Sequence, residues 1–127
     1  MMHDPGASAP TRLEVSVSGD LVLVEHRGEM NETVLRECQR RVLALARATG
    51  LRRVLYDARA MTPPATEMAL MQQALDDELD GMRLRRAIVV PGTRIAYLAR
   101  IAFVAGEDRV FYEDMDAARA WLSGDGA

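Results

Sequence analysis

The residues of this chain that could do chemistry are few, and none of them forms a catalytic motif. The two histidines, His3 and His26, have no nucleophile placed beside them by a recognised spacing. The one cysteine, Cys38, lies on an apolar helical stripe, which is typical of a small buried hydrophobe. No His or Cys spacing fits a metal site, and the sequence favours a non-enzymatic binding function with no metal or cofactor. A small hydrolase or isomerase that uses Asp57 is the least favoured alternative.

A polar cluster is expected around Asp57 and the segment that begins at Gly92. Asp57 ends a short apolar strand, Arg59 follows it, and Thr93 and Arg94 open a helix. Ligands of parallel α/β sheets bind at the carboxyl ends of the strands, where these residues are expected to meet. Helical N–H groups, a capping hydroxyl and a guanidinium can hold a carboxylate or phosphate head group. The alternative is an ordinary cap with a surface arginine, and a pairing of Asp57 with Arg59 or Arg94 that fixes the loops.

The segment from Thr93 to Ala105 is the strongest indication of binding. It has helix length, and only Arg94 and Arg100 interrupt its apolar surface. The two arginines are about 240° apart on a helical projection, so neither is expected to mark a clean solvent face. The surplus apolar surface would have to meet a second layer, a partner subunit or an apolar ligand, and it predicts a homodimer. Tyr97 and Arg100 are adjacent; they either line a dimer seam or cavity mouth, or pack together with both polar tips in water.

Methionines are concentrated in the unit that precedes this helix, at Met61, Met68, Met71 and Met82. Methionine at helical spacing most often fills a core, but it also forms soft walls that adapt to an acyl chain or a partner helix. Together the two helices predict a cleft that binds an apolar, lipid-like molecule or a regulatory protein partner.

Length and charge narrow the protein class. A chain of 127 residues indicates one domain, and its formal net charge of −3 argues against a nucleic-acid partner. No run of about 18 apolar residues predicts a transmembrane segment, and the N-terminus does not resemble a signal peptide. The expected location is the cytoplasm.

Hydrophobic periodicity predicts the element order β-β-α-β-α-β-α-β-α. This order indicates an α/β fold: one domain, with a mixed, mostly parallel five-stranded sheet and about four helices. Residues 58–65 are expected to form a loop, in which either Thr62 caps a turn begun by Pro63 or Thr66 caps the second helix. The domain is expected to span residues 12–123, with a flexible tail at 1–11 and a short tail at 124–127. The strands are expected at 12–17, 21–27, 54–56, 87–90 and 109–113, and the helices at 32–48, 66–80, 93–105 and 115–122.

Three stretches of the sequence resemble the SpoIIAA-like branch of the STAS domains. The run RAIVVPGTRIAYLARIAF has the strand, the proline and the helix with a Tyr-x-x-Arg pattern, here Tyr97 and Arg100. The run VFYEDMDAARAWL has the late strand and the Ala-x-x-Trp-Leu helix, and the early strand VLYDAR ends in an aspartate. The resemblance covers residues 12–123.

The resemblance implies a small, non-enzymatic, bacterial-type regulatory domain, and some relatives are thought to hold a long-chain apolar ligand in a CRAL-TRIO-like cavity. Anti-sigma-factor antagonists of the wider family carry an Asp-Ser-Ser-Gly motif where the second helix begins, and its serine is phosphorylated. The corresponding stretch here is Pro64-Ala65-Thr66-Glu67, so Thr66 falls near the phosphoacceptor position while the surrounding motif is absent. A phospho-switch that acts through Thr66 is therefore the alternative function. A phosphate there would lie against a positive helix end.

Overall fold

The structure of the chain, a computed structural model, describes residues 12–103 and 106–124, without the side chains of Glu78 and Asp80. The predicted tail at 1–11, with His3, lies outside the described residues, and so do residues 125–127 of the second predicted tail.

Five strands form one mixed sheet with the order β1-β2-β3-β4-β5. β1 is antiparallel to β2, and the other neighbouring strands are parallel. This arrangement confirms the predicted fold class. The strands are β1 (Arg12–Ser18), β2 (Leu21–Gly28), β3 (Arg53–Met61), β4 (Arg85–Val90) and β5 (Glu107–Tyr112).

Three helices cover one face of the sheet and a fourth covers the other. Because the parallel strands follow one another in sequence order, right-handed crossovers place all three connecting helices on the same face. The buried residues of each strand accordingly alternate between the two faces: Val54 packs on the side of the first three helices, and Leu55 on the side of the last. The helices are α1 (Glu32–Thr49), α2 (Thr66–Asp76), α3 (Thr93–Ala102) and α4 (Met115–Ser123), and a short 3-10 helix (Asp77–Met82) follows α2.

The ends of α1 follow directly from its sequence. The Asn31 side chain accepts a hydrogen bond from the Val34 N–H at 2.9 Å. Gly50 adopts φ 78°, and its N–H donates to the Ala46 carbonyl at 2.8 Å. Both residues have the roles that the sequence predicts. Among the described residues, no helix is long and apolar enough to cross a membrane.

The strand β3 is longer than predicted. The expected loop at 58–65 is wrong for its first half, because the chain stays extended and hydrogen-bonded to β2 as far as Met61. A register shift after Glu25 lets Arg27 pair with Ala60 and Gly28 pair with Met61. Backbone pairing with a neighbouring strand thus overrides the weak strand propensity of this alanine-rich segment.

The predicted capping roles of Thr66 and Thr93 are wrong. Ala65 and Gly92 occupy the N-cap positions, and neither helix receives a side-chain capping bond. The second helix ends at Asp76 and tightens into the 3-10 helix instead of continuing to residue 80. The third helix ends at Ala102, and residues 104–105 of its predicted span lie outside the described residues.

Candidate functional site

A cavity of about 60 Å³ lies between the sheet and the three helices α1, α2 and α3. Its walls are almost entirely apolar. Each of the three helices and three of the parallel strands contributes to the lining, and so does the connection from β2 to α1. Representative lining residues are Val24, Met30, Leu35, Met68, Ile88, Leu98 and Phe103.

The volume of the cavity limits what it can hold. A buried water molecule needs roughly 10–15 Å³ of such space. As it stands the cavity has room for a few water molecules. A benzene-sized molecule is held by cavities of about 150 Å³, so it would bind here only with the flexible side chains of Met61 and Met68 moved aside. A long acyl chain, which the resemblance implies for some relatives, would require α2 and α3 to move apart.

One buried polar side chain, His26, lies in this apolar wall. It is 4% exposed, and neither of its ring nitrogens has a hydrogen-bond partner among the described residues. Burial lowers the pKa of His26, because the charged imidazolium would lose its hydration. The backbone of Glu29 opposes this pKa shift without reaching hydrogen-bonding geometry. The imidazole is therefore neutral at pH 7, with one N–H donor and one nitrogen acceptor.

Asp57 lies at the edge of the cavity and pairs with Arg59. The Arg59 Nε and Nη2 atoms each donate to a different oxygen of the Asp57 carboxylate at 2.9 Å. This pair lowers the pKa of Asp57, while partial burial opposes the shift. Arg59 points away from the cavity into an open, charged depression that Glu25, Arg27 and Glu113 also line. Of the two pairings that the sequence left open for Asp57, the structure has the one with Arg59.

The outer face of α3 is exposed to solvent, contrary to the sequence analysis. Arg94 and Arg100 flank Tyr97, which is 54% exposed, so the three residues mark one solvent face. The remaining apolar surface meets the sheet on one side and α2 on the other, where Ala69 packs against Leu98. The surplus apolar surface of α3 is thus covered within the chain.

The predicted site residues fall into two groups. Asp57 and Met68 line the cavity, together with Met61. The others lie elsewhere on the molecule: Arg59 lines the charged depression, Met71 is half-buried on α2, and Thr93 is exposed at the start of α3.

The polar residues on α3 contact neighbouring elements. Arg94 donates to the Thr66 hydroxyl at 3.5 Å, and Arg100 donates to the Tyr112 hydroxyl at 3.5 Å. Thr93 and Arg94, where the sequence analysis expected an anionic head group, do not line the cavity, although Ile95 in the same turn does.

Sequence reasoning missed His26, which it considered only as a catalytic residue. The available signal is the alternation along β2, in which Val22, Val24 and His26 are all buried and share one face. A histidine in the third position of such a run is predicted to point into the core.

Sequence reasoning also missed a fully buried arginine. Arg86 is 0% exposed and donates to the carboxylates of Asp76 and Asp108, with Nε 2.7 Å from the Asp108 oxygen. Its guanidinium carbon lies 4.7 Å from the centre of the Phe103 ring. Burial alone would lower the pKa of Arg86, but the bonds to the two carboxylates raise it above its ordinary value. This cluster joins α2 to β4 and β5. Among the described residues, no group of His, Cys, Asp and Glu is arranged to hold a metal ion.

Solved structures share this architecture. An uncharacterized protein from Shewanella loihica with a SpoIIAA-like fold matches with a TM-score of 0.62 and 19% identity, over 95% of this chain and 99% of its own. The anti-sigma factor antagonist SpoIIAA, in its unphosphorylated form, matches with a TM-score of 0.60 and 11% identity, over 93% and 100% of the two chains. An anti-sigma factor antagonist from Mycobacterium paratuberculosis matches with a TM-score of 0.64 and 15% identity, over 91% and 98%.

This chain has the SpoIIAA-like fold. The likeness extends over nearly the whole of each chain, and it confirms the fold that the sequence motifs imply. No protein-family model and no curated protein sequence matches the chain. At these identities the likeness concerns the fold alone, and function has to be argued from the site.

Proposed function

We propose that this protein is a non-enzymatic binding domain whose ligand is a small apolar molecule, held between the sheet and α1, α2 and α3. The observation that carries the proposal is the largely apolar cavity at this place. Apolar pockets with a few polar groups are the usual form of small-molecule sites.

The wall formed by α2 supports entry of such a ligand. α2 has 11 residues and no side-chain cap at its start, so its first turn has few local restraints. Met61 and Met68 line the cavity near this end and provide flexible side chains that can move aside. Gln73 on α2 donates to the Ile101 carbonyl on α3 at 2.9 Å and holds the far ends of the two helices together.

Binding can be tested directly with toluene as a small apolar probe. Titration followed by protein NMR is expected to shift resonances of Met68 and Leu98 saturably. The variant Ala58→Leu, which adds bulk to a buried cavity wall, is expected to weaken binding at least tenfold. The matched control Ala44→Leu places the same change on the exposed side of α1 and is expected to bind like the wild type. Native mass spectrometry after gentle purification would detect a retained ligand.

Equal toluene affinity in the Ala58→Leu and Ala44→Leu variants would contradict the proposal, and so would an absence of saturable shifts around the cavity.

A phospho-switch at Thr66 that controls a protein partner is the second candidate. Its support is the position of Thr66 in the first turn of α2, with the Arg94 guanidinium 3.5 Å from its hydroxyl. A phosphate at this place would be stabilised by free N–H groups of the helix and by Arg94.

The phospho-switch is tested by incubating the protein with ATP and an extract of its source cells. Phosphosite mapping is expected to find modified Thr66 in the wild type and no modification in Thr66→Val. An unmodified Thr66 in the wild type, under conditions in which other proteins of the extract are phosphorylated, would end this candidate.

Homodimerisation and a cytoplasmic location remain predictions. The exposed Tyr97 and Tyr112 lie near Arg100 and offer a surface for a second copy. Light scattering is expected to give twice the mass of one chain, and Tyr97→Asp to reduce it to that of a monomer. A monomer mass for the wild type would remove the dimer.

A further inference from the structure

The cavity wall contains a buried polar side chain, His26, in an unusual environment. The imidazole of His26 is 4% exposed, and neither of its ring nitrogens has a hydrogen-bond partner among the described residues. It lies between the apolar cavity and the charged depression that Arg59 lines. A buried polar group without a partner is costly, and native proteins rarely keep one without a reason. A ligand that supplies the missing hydrogen bond would remove this cost on binding.

The charges around the cavity restrict what that ligand group can be. The described residues that line it include no arginine, and the Asp57 carboxylate lies at its edge. A carboxylate or phosphate on the ligand would have to leave water for a wall that offers it no free cation, because Arg59 is already paired with Asp57. An ammonium group would have to leave water for a wall that is mostly apolar, with Asp57 already paired with Arg59.

A neutral hydroxyl fits both constraints. It can donate to the unprotonated nitrogen of a neutral imidazole or accept from its N–H, so it can pair with the nitrogen that faces the cavity in either tautomer. The volume of about 60 Å³ favours the smallest such molecules, because larger ones require a greater displacement of the walls.

We propose that the cavity binds a small apolar molecule that carries one neutral hydroxyl group, a phenol or a short-chain alcohol, and that the imidazole of His26 is the hydrogen-bond partner of this hydroxyl. This inference rests on the proposed function, because it assigns the polar end of the same ligand. It replaces the anionic head group that the sequence analysis expected near Thr93 and Arg94.

The inference is tested with phenol and toluene, which have nearly the same shape and differ in one hydroxyl. Their dissociation constants are measured by calorimetry for the wild type and for His26→Leu. We expect the ratio of toluene to phenol dissociation constants to fall about fivefold in the variant, because one hydrogen bond is lost for phenol alone. The control His3→Gln removes the other histidine and is expected to leave the ratio unchanged.

A second measurement does not depend on the variant. In protein with ¹⁵N-labelled histidine, phenol is expected to shift the ring nitrogens of His26 and toluene to shift them much less. The control His3→Gln assigns the signals, because the chain has two histidines.

The outcomes separate the two proposals. If both probes bind, the ratio of their dissociation constants is the same in the wild type and His26→Leu, and phenol causes no specific shift of the His26 nitrogens, the role of the hydroxyl is overturned. The apolar site remains intact in that case. Unchanged ring nitrogens on saturation with phenol would mean that His26 is satisfied by water only. Failure of both probes to bind would overturn the apolar site and this inference together. Tighter binding of benzoate than of phenol would show an anion site instead.

Discussion

His26 and Cys38 show how burial decides the chemistry of a side chain. Both residues line the cavity, and both belong to types that are reactive in other surroundings. In the cavity wall, the imidazole is held neutral and the thiol is held protonated, because apolar neighbours disfavour either charged form. The two residues are therefore sensitive reporters of whether the cavity is closed to water.

The pH dependence of stability should reveal the buried imidazole. The pKa of His26 is lowered in the folded state, so the unfolded chain binds the proton more readily, and stability falls as pH decreases below 6.5. Urea unfolding at pH 7.5 and pH 5 is expected to show a larger loss for the wild type than for His26→Leu. Titration of Asp57 and Asp108 also changes the stability with pH, in opposite directions. These changes are common to both proteins and cancel when the two losses of stability are compared.

The same variant is also expected to gain about 1 kcal/mol in the free energy of unfolding at pH 7.5, because an unpaired polar group is replaced by an apolar one. An identical pH dependence in the two proteins would contradict the neutral buried state of His26. The variant His3→Gln is the control and is expected to behave like the wild type.

Thiol labelling provides a second test at the residue scale. Burial raises the pKa of Cys38 to about 12, so almost no thiolate is present at pH 8. Iodoacetamide is expected to leave the folded protein unmodified over hours and to label it within minutes in urea. Rapid labelling of the folded protein at pH 8 would mean that this wall of the cavity is open to water.

At the scale of elements, helix ends that depend on a local sequence pattern were predicted. Features that depend on contacts between elements were missed. The Asn31 and Gly50 ends of α1 follow from local hydrogen bonding, and both were predicted. The solvent face of α3 was missed because about 240° in one direction is about 120° in the other, and Tyr97 lies between the two arginines. An exposed tyrosine adds to the apolar count of a helix without adding buried surface.

The connection into β5 has a conformation that only glycine adopts easily. Gly106 has φ +86°, and a Cβ added there would lie 2.4 Å from the Leu84 carbonyl oxygen. That oxygen also accepts the Glu107 N–H at 2.9 Å, which holds β5 against the start of β4. We expect Gly106→Ala to lower the free energy of unfolding by about 2 kcal/mol or more.

Gly81→Ala is the matched control for Gly106→Ala. Its φ lies outside the left-handed region, and a Cβ there would meet no atom within 4 Å. Chemical denaturation is expected to give a value within about 0.5 kcal/mol of the wild type. Similar losses for the two variants would contradict the close approach at Gly106.

At the scale of the whole molecule, the Arg86 cluster joins parts of the chain that are distant in sequence. It links the end of α2 to β4 and β5 through Asp76 and Asp108. The sequence could not show this, because arginines and aspartates are ordinarily exposed and charge alone does not give their depth. The order of elements and the mixed sheet, in contrast, followed from periodicity. The cavity depends on how three helices pack together, and no local pattern records its depth.

Removal of Arg86 is expected to lower the stability of the fold strongly. Arg86→Leu would leave the buried Asp76 carboxylate without its cation and is expected to cost about 3–5 kcal/mol in the free energy of unfolding. The control Arg36→Leu removes an exposed pair with Glu32 and is expected to cost less than about 0.5 kcal/mol.

A triple variant, Asp76→Leu with Arg86→Met and Asp108→Leu, removes all three charges together. It is expected to recover most of the stability lost in Arg86→Leu, because no uncompensated charge remains buried. Calorimetric melting temperatures of the four proteins measure both effects. A mild loss in Arg86→Leu, comparable to that in Arg36→Leu, would contradict the buried cluster.

The placement of α4 has a consequence for synthesis of the chain on the ribosome. Among the described elements, α4 alone covers the sheet face that carries Leu55 and Val89. A nascent chain that has emerged only as far as Tyr112 can pair all five strands, but the apolar residues on that face of the sheet are still exposed to solvent. Chaperones are therefore expected to hold the nascent domain until Ala118 and Leu122 leave the exit tunnel and close the face.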